Sequence, residues 1–112
     1  MVRVEHLPSS TLVTSSTTSS VPLSDATSTN TPDWACIRLK ESNDNYRASG
    51  DEPDGGAYQA SETAWLSMGF SGVPNEAPPA VQNAFALKLY AWALKYEGNG
   101  FAPWQTAPLC GL

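Results

Sequence analysis

The chain has 112 residues, 41% of them hydrophobic, and a formal net charge of −5, which is enough for one small domain and no more. An acidic chain lacks the basic face that phosphate backbones and anionic lipid surfaces attract, so its charge argues against a nucleic acid or a membrane surface as partner. No apolar run approaches the roughly 20 residues that cross a bilayer, and residues 1–13 lack the apolar stretch of a secretory signal.

The first third of the chain is dominated by serine and threonine. Residues 8–32 contain Pro8, Pro22 and Pro32 and no aromatic residue, whereas every Trp, Tyr and Phe lies at or beyond Trp34. Such a composition buries too little apolar surface to offset the entropy of ordering the chain. We therefore predict a flexible linker over residues 1–32 and a folded domain over residues 33–112.

The stretch DWACIRLKES, residues 33–42, predicts the first helix, with Asp33 as its N-cap. Trp34, Ile37 and Glu41 follow at i, i+3 and i+7, so they share one helical face. Glu41 thus lies on the face that should turn inward, although a helix that frays at its end would release the carboxylate to water. The spacing leaves both positions of Glu41 open.

A glycine- and acid-rich segment follows the first helix. It contains Gly50, Pro53, Gly55 and Gly56 and the acidic residues Asp44, Asp51, Glu52 and Asp54. This pattern predicts a loop or short hairpin with close backbone approach at Gly55 and Gly56. The acids do not have the spacing of an EF-hand loop, so we favour a solvated loop over a calcium site and expect no metal and no cofactor.

Two more helices are predicted further along the chain. The stretch SETAWLSMGF, residues 61–70, begins with a serine cap and an acid in the first turn. From Pro79 onward an apolar stripe runs through Val81, Phe85, Leu89, Trp92 and Tyr96 and is followed by Gly98-Asn99-Gly100. This stripe indicates a core face rather than a ligand site. The fold class is therefore α+β and mostly α, with about three helices.

The two cysteines, Cys36 and Cys110, lie near the two ends of the predicted domain. From the residues alone, a disulfide, two buried free thiols and a metal pair with missing ligands are all open. The lone histidine, His6, lies outside the domain and no Cys-x-x-Cys occurs, which argues against the metal. We predict a disulfide, which would belong to an oxidising, extracytoplasmic setting.

Four segments, read in order, resemble a known family. They are WACIRLKESNDNY, GGAYQASETAW, APPAVQNAFALKLY and the closing Trp104 and Cys110. Together they resemble the resuscitation-promoting-factor type of transglycosylase-like domain, a compact lysozyme-like domain of actinobacterial cell-wall enzymes. The resemblance covers residues 33–112.

The resemblance implies a lysozyme-like fold and cleavage of the β-1,4 bond between N-acetylmuramic acid and N-acetylglucosamine. Glu41 occupies the position of the family's catalytic acid. The resemblance places substrate-binding residues at Tyr46, Tyr58, Gln59 and Trp65. It also implies peptidoglycan glycan strands as the partner, a secreted or cell-wall location and a monomer.

Ordinary glycosidases need a second carboxylate as nucleophile or base. The resemblance instead implies one essential glutamate, with the C6 hydroxyl of the muramic acid attacking C1. The acidic segment leaves a water-using muramidase open as a variant.

The sequence also departs from the family pattern. Asn43-Asp44 replace paired glycines, and Lys40 stands where many relatives have a cysteine. Asp44 and Lys40 place opposite charges beside Glu41. These departures motivate an alternative function, a non-catalytic peptidoglycan-binding module with a lysozyme-like cleft.

Overall fold

Four α-helices dominate the described part of the chain, residues 23–50 and 55–112 of a computed structural model. They are α1 (Leu23–Thr27), α2 (Pro32–Ser42), α3 (Glu62–Ser67) and α4 (Pro79–Glu97), with short 3-10 helices at Pro74–Glu76 and Ala107–Cys110. The small, mostly helical fold predicted from the sequence is confirmed, and α1 adds a helix that was not predicted. None of the described helices combines the length and the apolar character needed to cross a membrane.

α2 begins two residues earlier than its sequence pattern predicts. Its N-cap is Thr31, whose hydroxyl accepts a hydrogen bond from the Trp34 amide at 3.3 Å, so the prediction of Asp33 as N-cap is wrong. Pro32 occupies the first helical position, where its missing N–H costs nothing and its fixed φ suits the helix. Asp33 instead lies in the first turn, where the helix dipole favours a negative charge.

The packed region extends further toward the N-terminus than the predicted boundary at residue 33. In α1, Asp25 is only 3% exposed, and its carbonyl accepts a hydrogen bond from Trp34 Nε1 at 2.9 Å. The carbonyl of Thr29 accepts from Arg38 Nη1 at 2.9 Å. Residues 23–32 therefore belong to the domain, which corrects the linker prediction there. Residues 1–22 of the predicted linker lie outside the described residues.

α3 and α4 have the caps that the sequence predicts. The Ser61 hydroxyl accepts from the Ala64 amide at 3.2 Å, and α4 ends at Gly98, whose φ is 77°. Along the apolar stripe of α4, Phe85 and Leu89 are fully buried, but Tyr96 is 50% exposed. The stripe therefore forms the core face except in its last turn, where residues 95–98 are all exposed.

The glycine-rich segment turns back on itself through two isolated antiparallel bridges, Ser49 with Gly55 and Gly55 with Ala60. Gly56 has a φ of +83°, and a Cβ there would collide with the side-chain oxygen of Gln82. That oxygen accepts a hydrogen bond from the Ala57 amide at 2.9 Å. The predicted close approach at Gly55 and Gly56 is confirmed: Gly56 lies against Gln82 of α4, and Gly55 lies against Asn75 and the carbonyl of Ala48.

The aromatic core is centred on Trp34. Its ring packs against Tyr58 at 5.7 Å, Tyr90 at 5.7 Å, Phe101 at 4.8 Å and Trp104 at 5.1 Å. The pairs with Tyr58, Phe101 and Trp104 are edge-to-face and the pair with Tyr90 is tilted. Edge-to-face pairs add roughly 0.5–1.5 kcal/mol each to the free energy gained by burial. The five rings come from α2, the glycine-rich segment, α4 and the C-terminal tail, so one cluster joins all four parts of the chain.

The two cysteines form a disulfide between α2 and the C-terminal 3-10 helix. Cys36 and Cys110 are 74 positions apart in sequence and their Cα atoms are 6.0 Å apart. The predicted disulfide is confirmed. It fixes the tail beside the middle of α2.

Candidate active site

Glu41 lies in the last turn of α2, on the same face as two core residues. Trp34 and Ile37 are fully buried, and Glu41 is half-buried at the end of their row. Its Oε2 atom accepts a hydrogen bond from Thr106 Oγ1 at 2.7 Å. The sequence left open whether Glu41 faces the core or escapes to water at a frayed helix end. In the structure α2 continues through Ser42, and the Glu41 carboxylate is partly withdrawn from water.

The chain leaves α2 through two residues in the left-handed conformation. Asn43 and Asp44 both have a φ of 60°, and their amides donate to the carbonyls of Leu39 and Arg38 at 3.0 Å each. This pairing closes the helix end in the manner usually associated with glycine. Asn and Asp are the other residues that adopt this conformation readily. Asn43 and Asp44 therefore allow a sharp helix exit directly after Ser42 without glycine.

The carboxylate of Asp44 is held by Arg38. The Nε atom of Arg38 lies 2.9 Å from Asp44 Oδ1, and the arginine side chain is largely buried while the aspartate is exposed. The sequence predicts an added negative charge near Glu41, but in the structure that charge is compensated by the guanidinium group.

Arg38 also belongs to a hydrogen-bond network with two tyrosines and an asparagine. Its Nη1 donates to the Tyr58 hydroxyl at 2.9 Å. The hydroxyls of Tyr58 and Tyr46 donate to the same atom, Asn83 Oδ1, at 2.6 Å and 2.7 Å. Burial raises the pKa of the Tyr58 phenol, so it stays protonated and can donate while it accepts from Arg38. The network therefore joins α2, the segment after it and α4.

The four predicted substrate-binding residues do not share one environment. Tyr46 is half-buried and Gln59 is buried, and the Gln59 side chain donates to the carbonyl of Gly56 at 3.0 Å. Tyr58 and Trp65 are each only 1% exposed. Neither ring offers a free face for a sugar, which corrects the prediction for these two residues because both are core side chains.

The contacts of Trp65 show that it is a core residue. Its ring packs against Phe70 at 4.9 Å and Phe85 at 5.1 Å, and its Nε1 donates to the Ser71 carbonyl at 3.0 Å. The ring and the indole N–H of Trp65 therefore both have partners within the protein. Trp65 therefore anchors α3 to α4.

The structure identifies residues around the site that the sequence pattern missed. They are Arg38, Gln82, Asn83 and Thr106. Only Gln82 had a usable signal, since it precedes Phe85 and Leu89 at helical spacing and so lies on the core face of α4. A polar residue there must find buried partners, and its amide donates to the carbonyls of Tyr46 and Ala77, both at 2.8 Å.

Comparisons with known proteins do not assign the chain to a family. No family model matches the chain, and no curated protein matches it.

No metal site is evident in the part of the chain that the structure describes, because no three His, Cys, Asp or Glu side chains group there as ligands. The acidic residues Asp51, Glu52 and Asp54 lie outside that part.

Proposed function

We propose that the protein is a peptidoglycan-cleaving glycosidase that acts on the bond between N-acetylmuramic acid and N-acetylglucosamine, with Glu41 as its single acid and base. The observation that carries the proposal is the placement of Glu41. It is a half-buried carboxyl group at the end of an apolar helix face, hydrogen-bonded by a hydroxyl from a disulfide-anchored tail. The family resemblance of residues 33–112 supplies the substrate.

The proposed reaction uses Glu41 twice. The carboxylic acid first gives its proton to the glycosidic oxygen as the bond from C1 to that oxygen breaks, and the bonding electrons leave with the N-acetylglucosamine. The C6 hydroxyl of the muramic acid then bonds to C1, and the Glu41 carboxylate takes the hydroxyl proton. The products are a 1,6-anhydro sugar end and a free 4-hydroxyl, and the acid is regenerated.

The contacts of Asp44 support the route with a single glutamate. A second catalytic carboxylate must face the sugar or a water molecule beside it. Asp44, the described acid that follows Glu41 most closely in sequence, is instead engaged by Arg38 at 2.9 Å. The anhydro product is accordingly the expected one, and a reducing end would indicate the water-using muramidase.

The disulfide supports a setting outside the cytoplasm. Disulfides persist in oxidising compartments and are rare where glutathione and thioredoxin keep thiols reduced. We propose that the protein is secreted or held in the cell wall, where it meets peptidoglycan glycan strands as a monomer. Its net charge of −5 gives no attraction to nucleic acid.

Digestion of purified peptidoglycan tests the proposal. Wild type, Glu41→Gln and the exposed control Glu97→Gln are incubated with the polymer, and the released muropeptides are measured by mass spectrometry. We expect Glu41→Gln to release at least about 100-fold less than wild type, because it removes the proton donor. Glu97→Gln should match wild type, since Glu97 lies exposed at the far end of α4.

Equal release by wild type and Glu41→Gln would sink the proposal. Retention of wild type on the polymer without any released product would favour the non-catalytic binding module. Among the released products, anhydro-muramic ends support the proposed lyase route and reducing ends the hydrolase.

A further inference from the structure

Thr106, in the C-terminal tail, contacts the proposed catalytic group Glu41. Its hydroxyl donates to Glu41 Oε2 at 2.7 Å across 65 positions of sequence. Both side chains are half-buried. A hydroxyl that donates to a carboxylate forms a short, charge-assisted hydrogen bond, about twice as strong as a neutral one.

Thr106 is fixed by anchors on both sides. Two positions before it, Trp104 is buried in the aromatic core and its Nε1 donates to the Tyr58 carbonyl at 3.1 Å. Four positions after it, Cys110 is bonded to Cys36 of α2. Thr106 itself starts the 3-10 helix, and its carbonyl accepts from the Leu109 amide at 2.9 Å. The hydroxyl is therefore held at a set position relative to the helix that carries Glu41.

We propose that Thr106 is a positioning residue for Glu41, which sets the orientation of the carboxyl group and stabilises its charged form. The inference rests on the proposed function. The last torsion of a glutamate side chain is broad, so the carboxyl plane needs an external hydrogen bond to keep one orientation. Proton transfer is sensitive to such geometry, since small misplacements of a reacting group cost large factors in rate.

The same hydrogen bond acts at the moment of proton transfer. When Glu41 gives up its proton it becomes a carboxylate, and a preorganised hydroxyl donor interacts more strongly with that anion than with the neutral acid. The Thr106 hydroxyl keeps its own proton throughout. Its contribution is therefore larger in the transition state than in the ground state and affects kcat more than KM.

Three variants separate positioning from mere packing. Thr106→Val keeps the shape and removes the hydroxyl, Thr106→Ser keeps the hydroxyl, and Thr63→Val removes the hydroxyl of an exposed threonine in α3 as a matched control. For each variant, kcat and KM on peptidoglycan are measured across pH. The titration of the Glu41 carboxyl group is followed separately by NMR, which requires no activity.

We expect Thr106→Val to lower kcat by about 10- to 100-fold with KM within about twofold of wild type. Losing the donor disfavours the charged form of the carboxyl group, so the alkaline limb of the activity profile and the NMR midpoint of Glu41 should both move to higher pH. Thr106→Ser should restore both, and Thr63→Val should match wild type.

The outcomes distinguish this inference from the proposed function. An inactive wild type overturns both the proposed function and the positioning role of Thr106 in catalysis. If wild type is active but Thr106→Val leaves kcat and the NMR midpoint of Glu41 unchanged, the positioning role alone is overturned and the proposed function stands. A loss of kcat in Thr106→Val that Thr106→Ser does not recover also overturns it, since the loss would then come from packing.

Discussion

At the scale of single residues, Gly56 and Gln82 form a close contact that the fold depends on. The Gln82 side chain accepts from the Ala57 amide and donates to the carbonyls of Tyr46 and Ala77. One buried amide thus satisfies three backbone groups of two different loops. It can reach the Ala57 amide only because Gly56 has no Cβ, so the glycine and the glutamine depend on each other.

Gly56→Ala should be strongly destabilising. The new Cβ combines the cost of a positive φ with a collision against Gln82 that breaks the hydrogen bond to Ala57, and together we expect a loss of roughly 2–4 kcal/mol in the free energy of unfolding. Gly72 is the matched control, because it has a φ of +80° and open space where a Cβ would lie. Gly72→Ala should cost about 1 kcal/mol.

Urea denaturation of the two variants and wild type measures both losses. Equal losses at the two glycines would show that the collision with Gln82 contributes nothing, and that only the backbone conformation requires glycine at residue 56.

At the scale of elements, the junction between α1 and α2 combines two carboxyl groups with one hydroxyl. Thr31 caps α2 and donates its hydroxyl to Asp25 Oδ1 at 2.8 Å. The pKa of the Asp33 carboxyl is raised above its ordinary value, chiefly by a side-chain hydrogen bond with Asp25 and further by burial and by the charge of Asp25. From α4, the Tyr90 phenol faces the same pair, and burial raises its pKa, with smaller contributions from the charges of Asp25 and Asp33.

This junction should make stability depend on pH. A raised pKa means that folded Asp33 holds its proton more tightly than unfolded Asp33. The stabilising contribution is therefore complete at low pH and is lost as pH rises above the ordinary value of 3.8 toward the raised one. Asp33→Asn carries no titrating group at this position, so the stability of wild type relative to this variant should fall as pH rises through that window.

Urea unfolding of wild type and Asp33→Asn over a pH series from about 3 to 7, a range that brackets carboxyl titration, gives this difference directly. The difference reports on the hydrogen-bonded pair of Asp25 and Asp33 rather than on Asp33 alone. The remaining carboxyl groups are common to both proteins and cancel. A difference that rises with pH would contradict the prediction, because it would mean that folding lowers the pKa of Asp33.

At the scale of the whole molecule, the disulfide closes nearly the entire folded region into one loop. Cys36 and Cys110 are 74 positions apart, and the aromatic cluster around Trp34 lies between the helix and the tail that they join. A small domain buries only part of the surface that its unfolded chain exposes, so a covalent link contributes a large share of its stability.

Removing the link should be costly. For a loop of this length, the chain-entropy model predicts that Cys36→Ser with Cys110→Ser loses about 4 kcal/mol in the free energy of unfolding. Urea denaturation of the double variant measures the loss, and wild type kept under reductant should unfold at a similar urea concentration. An unchanged midpoint in either protein would contradict the prediction.

Local signals in the sequence account for the features that were predicted well. Helices α2, α3 and α4 follow from caps, glycine stops and apolar spacing, which act over a few residues. The inward face of α2 follows from the same periodicity, whereas the partial burial of Glu41 was left open by the spacing and is seen only in the structure. The close approach at Gly56 was predicted from the Gly55-Gly56 pair, because a residue without a side chain lets other groups come close to the backbone.

Features that depend on distant contacts were not predicted. The carbonyl of Asp25 in α1 accepts from Trp34, and the carbonyl of Thr29, just after α1, accepts from Arg38. The composition of a serine- and threonine-rich segment carries no signal for such contacts. Tyr58 and Trp65 read equally well as sugar platforms or core residues, since a ring's exposure depends on what packs over it.

By itself, the sequence determined the helices from α2 onward, the candidate pair of cysteines and the face of α2 that carries Glu41, because each rests on short-range pattern. Only the tertiary structure decided that α1 belongs to the domain, that Arg38 compensates Asp44, and that the Thr106 hydroxyl meets Glu41. The last contact spans 65 positions, and its formation depends on the packed core and the disulfide that bring the tail back to α2.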